Sequence, residues 1–186
     1  MARVRLNKTE DLPPDERWLF ERLEKDPMGL LNIYRALSHS PEALRRFMKF
    51  GRYFLAEGKL DPKLREIAIL RAGFLCRAPY EISQHISFGR RVGLSDDQLR
   101  ALAHPEGGPF DEGEQAVIAY ASEMTDNARV SDATHAAVAA FLDDEQVVEL
   151  TMVIGFYNLV SRTLNALQVD LDAPAQRDLD ALGVEV

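Results

Sequence analysis

The sequence predicts an all-α fold. No stretch sustains a period-two alternation of apolar and polar residues, helix-start signals recur along the chain, and apolar residues follow helical spacing between them. Apolar residues are 46% of the 186, enough to build a hydrophobic core.

The elements follow in order. Pro13-Pro14 precedes a short amphipathic segment over Asp15–Lys25, which Pro27-Met28-Gly29 breaks. A second segment covers Leu30–Leu37. Ser40-Pro41-Glu42 starts a helix, with serine as cap and proline in the first turn, and this helix should stop at Gly58. Asp61-Pro62 opens the next in the same way, carrying Leu64, Ile67, Ala68, Leu70 and Leu75. Pro79 disfavours helical geometry at Ala78 and begins a new helix over Tyr80–Val92, so the two form a central helical hairpin. Ser95-Asp96-Asp97-Gln98 is a capping box for a short helix, and His104–Pro109 is a loop. Three further helices are expected: one from Asp111 to about Asn127, then Ser131–Leu142 and Asp144–Leu167. The residues from Asp170 read as a polar tail or short arm. One domain is expected over 1–186, with a core over about 30–172, an N-terminal arm over 1–29 and a C-terminal tail over 173–186. Arg65–Leu75 and Val148–Asn158 share an early glutamate and a later Gly-Phe pair, a thin sign of two related helical halves.

Composition narrows the function. Thirty acidic residues against 22 basic ones give a net charge of −8. A nucleic-acid binder needs a basic face to displace counterions, and an anionic membrane needs a polybasic patch, so neither partner is expected. Cys76 is the single cysteine, which excludes an intrachain disulfide and a CxxC redox pair. The N-terminus lacks the apolar core of a signal peptide, and the apolar run near Val147–Val160 is short for a bilayer and interrupted by Glu149. A cytoplasmic location is expected.

The chemistry gathers at the hairpin. Glu81 and His85 stand at i and i+4 on one helix face, where a carboxylate orients an imidazole and raises its pKa. Tyr80 adds a hydroxyl. Glu66 lies on the preceding helix among apolar residues, where a carboxylate needs a partner, and His85 is the candidate. Together these groups suit proton transfer. Glu81-x3-His85 has no second copy and no HExxH is present, so no metal site is expected. His39, His104 and His135 read as surface residues. On the last long helix Asn158, Arg162 and Asn165 form a polar stripe. Arg162 is a candidate anchor for a substrate carboxylate, with Asn158 and Cys76 as further substrate-binding candidates; the alternative is that Arg162 pairs with a core glutamate or a neighbouring subunit.

The run from Arg65 to Leu99, REIAILRAGFLCRAPYEISQHISFGRRVGLSDDQL, resembles the carboxymuconolactone decarboxylase family, whose superfamily also holds the alkylhydroperoxidase D-like proteins. The run from Val147 to Asp172 resembles the C-terminal part of its longer members. The resemblance covers roughly Leu30 to Asp172 and implies an all-helical, alkylhydroperoxidase D-like bundle that assembles as a homo-oligomer, a trimer or hexamer. The family's peroxidase branch carries the frame E-x11-C-x2-C-x3-H. Glu66 and His85 match its ends, but its cysteine positions fall on Ala78 and Glu81, and Cys76 lies two residues before the first. The dithiol cycle is therefore missing. What the resemblance implies is a cofactor-free lyase acting on a small carboxylated lactone or related cyclic acid. His85 would be the general acid/base, Glu66 its orienting partner, and Tyr80 and Glu81 would position substrate or carry protons. Two alternatives stand beside it: a peroxidase using Cys76 alone, and a helical oligomer that binds a ligand without turnover.

Overall fold

The structure, a computed structural model, describes residues 1–184 and contains ten α-helices and no strand among them. They are α1 Arg17–Leu23, α2 Asn32–Leu37, α3 Pro41–Arg52, α4 Pro62–Leu75, α5 Pro79–Arg91, α6 Asp96–Ala101, α7 Glu112–Asn127, α8 Asp132–Ala139, α9 Asp144–Leu167 and α10 Ala173–Leu182. The all-helical expectation and the hairpin break at Ala78-Pro79 both hold.

Helix α4 is the axis of the fold and packs on α5, α7 and α9. Every residue from Arg65 to Phe74 is buried, which explains its weak amphipathic pattern: a helix enclosed on all sides has no polar stripe. Its Asp61 cap accepts from the backbone N–H groups of Lys63 and Leu64. At its end the Ala78 N–H donates to the Gly73 carbonyl and the Arg77 N–H to the Phe74 carbonyl, a Schellman closure that puts Arg77 at φ 49°. The reversal sets α5 directly against α4. A Cβ at Gly73 would lie 3.2 Å from the Ile82 side chain, so a larger residue there would press Ile82 back by a few tenths of an ångström.

Three features depart from the sequence reading. First, the stretch after Asp170 is not a polar tail: Ala173–Leu182 is a helix that buries Ala175, Leu179 and Leu182 and packs on α5 and α6. Second, the N-terminal arm is packed. Leu19, Phe20 and Leu23 of α1 join Leu12 and Leu44 in a small apolar cluster. Third, α3 runs into a π-helical turn over Tyr53–Glu57, where the Gly58 N–H donates to the Tyr53 carbonyl. This leaves the Phe54 carbonyl free for the Arg65 guanidinium.

Helix α9 has 24 residues, longer than its apolar run indicated, so length alone does not keep it out of a bilayer. Its inner face nevertheless belongs to the protein core, through Leu150, Val153, Ile154, Tyr157 and Leu164. Glu149, buried on the same helix, accepts from the Tyr53 hydroxyl and the backbone N–H groups of Lys59 and Leu60.

Candidate functional site

The hairpin brings three of the expected groups into one chain of hydrogen bonds. Glu66 comes from α4 and is fully buried; Glu81 and His85 come from one face of α5 and are 4% and 5% exposed. His85 Nδ1 lies 2.6 Å from Glu66 Oε2, and His85 Nε2 lies 3.1 Å from Glu81 Oε1. Glu66 is the more distant from the turn in sequence, yet it meets His85 directly, with no water needed between them. Its second oxygen accepts from Arg65 Nε at 3.1 Å, while Arg65 Nη1 donates to the Phe54 carbonyl at 3.1 Å.

These contacts set the charge. Burial pulls the imidazole pKa down, but Glu66 and then Glu81 outweigh it and push it up to about 10. The two carboxyl groups thus favour the imidazolium form of His85. His85 and Arg65 are the two cationic partners placed against Glu66 and Glu81.

The cluster opens into a cavity of about 690 Å³ lined by Trp18, Tyr34, Phe47, Phe88, Phe156 and Tyr157, among others. Helices α1 to α3 form one wall, so the N-terminal segment helps make the site. The Tyr157 ring stands edge-on to the His85 ring, with centroids 4.9 Å apart. Arg22 and Lys49 lie at the exposed rim and make no ion pair among the described residues, whereas Arg45 is held by Glu16 and Glu42 and Arg52 by Glu57.

The remaining candidates fall elsewhere. Tyr80 borders the cavity, but its hydroxyl donates to Asp172 and accepts from the Ile33 N–H, so it ties α5 to α2 and to the start of α10. Cys76, Asn158 and Arg162 are absent from the cavity lining and form a separate polar cluster. Five residues along a helix is about 140° around it, which carries Arg162 away from the face that Tyr157 presents to the cavity. Arg162 Nη2 is 3.5 Å from the Thr125 carbonyl. Asn158 donates to Thr125 Oγ1 and sits beside the Cys76 thiol. Asn165 donates to the Cys76 and Arg77 carbonyls and so braces the hairpin turn. The structural reading of this stripe is the one the contacts favour. Burial pushes the Cys76 thiol up, against a smaller downward pull from Arg162. Among the described residues no group of three His, Cys, Asp or Glu side chains is placed to hold a metal ion.

Sequence reasoning missed Arg65, Tyr34, Tyr157 as a lining residue, and the rim cations Arg22 and Lys49. Arg65 carried a signal: a cation beside a glutamate inside an apolar helix. The others are assembled only by packing of the N-terminal helices.

An all-helical bundle whose central hairpin holds a buried Glu–His pair is an alkylhydroperoxidase D-like fold. Two solved structures share it over nearly the whole chain. One is an alkylhydroperoxidase AhpD core, peroxidase-related protein from Ralstonia eutropha JMP134, with TM-score 0.83, 17% identity and 94% of each chain covered. The other is a Cys-to-Ala variant of the debrominase Bmp8 in complex with 2,3,4-tribromopyrrole, with TM-score 0.79, 18% identity, and 98% and 100% covered. In sequence, the chain is 31% identical to the uncharacterized protein YnjA of Escherichia coli (strain K12) over 119 residues, which span 63% of each protein. Residues 41–123, holding the hairpin and both ends of its Glu–His frame, match the carboxymuconolactone decarboxylase family. Over that segment the chain is similar to the family, and its single cysteine leaves no CxxC pair.

Proposed function

We propose that the protein is a cofactor-free lyase of the carboxymuconolactone decarboxylase type, acting on a small carboxylated lactone or related cyclic acid. The observation that carries this is the buried Glu66–His85–Glu81 chain ending at an aromatic cavity. A planar ring suits that lining, and the similarly folded debrominase holds one, tribromopyrrole. Arg22 and Lys49 at the rim, rather than Arg162, would attract the substrate carboxylate.

Decarboxylation breaks the bond between the ring carbon and its carboxylate, and carbon dioxide leaves. The electron pair stays on the ring as an enolate, and one proton must be returned to carbon. Both nitrogens of His85 are already engaged, so the proton reaches the ring through Glu81, with His85 resupplying it and Glu66 holding the imidazolium. Solvent restores the proton after each turnover.

The test is carbon dioxide release from carboxymuconolactone by the purified protein and by Glu81→Gln and His85→Ala variants. Wild-type turnover with a loss of roughly 10²–10⁴-fold in each variant is expected. No turnover by wild type, or equal turnover by the variants, overturns the assignment; ligand binding without turnover would point to the non-catalytic alternative. The peroxidase alternative finds no thiol in the cavity, since Cys76 lies outside it.

The proposal includes a cytoplasmic homo-oligomer. Val148, Met152 and Leu159 leave an apolar stripe exposed on α9 that a second copy would cover. A smaller sedimenting mass is expected for Leu159→Glu; an unchanged mass argues against this contact.

A further inference from the structure

Three of the five tyrosine hydroxyls are hydrogen-bonded within the protein: Tyr53 to Glu149, Tyr80 to Asp172, and Tyr120 with Thr151. The two without a partner among the described residues are Tyr34 and Tyr157, and both line the cavity that holds Glu81 and His85. A buried hydroxyl left unpaired is costly, so such groups ordinarily find a partner. Neither is sealed inside the protein: among the described residues the buried side-chain polar atoms without a partner are Asn7 Oδ1 and Ser161 Oγ. Both phenols therefore open onto the cavity. Tyr157 is held in place by its edge-on contacts with His85 and Phe156, at 4.9 and 5.4 Å between centroids. Tyr34 packs at the edge of both the main core and the small cluster around Phe20.

We propose that Tyr34 and Tyr157 are paired hydrogen-bond donors for one oxygen carried on the substrate ring, beside the carboxylate of Glu81. The substrate class is thereby a ring bearing a carbonyl, enol or phenol oxygen near the reacting carbon. Burial first, and the charge of Glu81 second, raise both phenol pKa values, so the two groups remain O–H donors across the working pH range. In a decarboxylation the electron pair released from the carbon–carbon bond collects on that oxygen. Two donors on the cavity lining stabilise the charge where it develops. This role rests on the lyase proposal, whereas the binding itself does not.

Trp18 is the only tryptophan and lines the same cavity, so its fluorescence reports occupancy. The experiment compares para-chlorophenol with chlorobenzene, which has the same ring without the oxygen, binding to wild type, Tyr34→Phe, Tyr157→Phe and the double variant. Wild type is expected to prefer the phenol. Each single variant should weaken phenol binding by about 5–10-fold, the worth of one neutral hydrogen bond, and leave chlorobenzene within about two-fold. The double variant should bind the two ligands alike. Phenol affinity unchanged in the variants overturns the proposal, as does an equal loss for both ligands or no phenol preference in wild type. A wild-type protein that does not turn over carboxymuconolactone while phenol preference persists would sink the lyase and leave the donor pair standing.

Discussion

Replacing Glu66 by glutamine keeps the shape of the side chain and removes its charge. Two bonds change character: Arg65 Nε to Oε1 at 3.1 Å and His85 Nδ1 to Oε2 at 2.6 Å. A hydrogen bond to a charged group contributes about 1.5–3 kcal/mol and a neutral one about 0.5–1.5, so the two together should cost about 2–3 kcal/mol. The loss stays below the roughly 3–5 kcal/mol of a broken buried ion pair, because His85 can shed its proton, although Arg65 cannot. For a chain of this length that corresponds to a fall of about 4–12 °C in Tm. Urea unfolding of both proteins at neutral pH measures it. The pH dependence gives an independent signature. A histidine whose pKa is raised in the folded state stabilises fully below its unfolded value, near 6.5, and that stability fades as pH rises toward about 10. Wild type should therefore lose stability across this window, and the Glu66→Gln protein should lose less, since only Glu81 remains to hold the imidazolium. A variant within about 0.5 kcal/mol of wild type, the range of an ordinary surface change, would show that Glu66 does not pair with a charged His85.

Two further outcomes are expected. Cys76→Ser should leave turnover unchanged, and the wild-type thiol should react slowly with a disulfide reagent at neutral pH, because burial raises its pKa; rapid reaction, or loss of activity in the serine variant, would return Cys76 to the chemistry. Asp172→Ala should cost about 1–3 kcal/mol by removing the acceptor of the Tyr80 hydroxyl proton and releasing Gln84 and the Asn32 N–H, and should speed amide exchange in α10 before the rest of the chain; uniform exchange rates would contradict that anchoring.

Much of this site is legible in the sequence because its geometry is local. Pro62 and Pro79 mark the starts of α4 and α5, the short Arg77-Ala78 turn forces them into a hairpin, and i,i+4 spacing places Glu81 beside His85. The contact across the hairpin is less certain from spacing alone, since Glu66 and His85 lie at unequal distances from the turn. Family resemblance to the Glu–His frame is what joins them in the sequence. The polar stripe on α9 misleads for a physical reason: helical spacing shows which residues share a face, not what that face meets. Asn158, Arg162 and Asn165 do share one, but it looks toward Thr125 and the hairpin turn. Helix α10 hides behind its charge, although Pro174, the Ala175–Leu179–Leu182 spacing and Gly183 are start, stripe and stop signals. The cavity wall from α1 to α3 and the free hydroxyls of Tyr34 and Tyr157 arise from long-range packing, for which a single sequence has no periodic mark.

A nitrogen-15 NMR titration of the His85 imidazole in the intact protein bears most directly on the proton relay. A His85→Ala protein identifies the His85 signal among the four histidines. The expected result is an imidazolium at neutral pH that gives up its proton only toward about 10, with the midpoint lowered in both Glu66→Gln and Glu81→Gln. A His85 that titrates near 6.5, unmoved by either substitution, would contradict the relay.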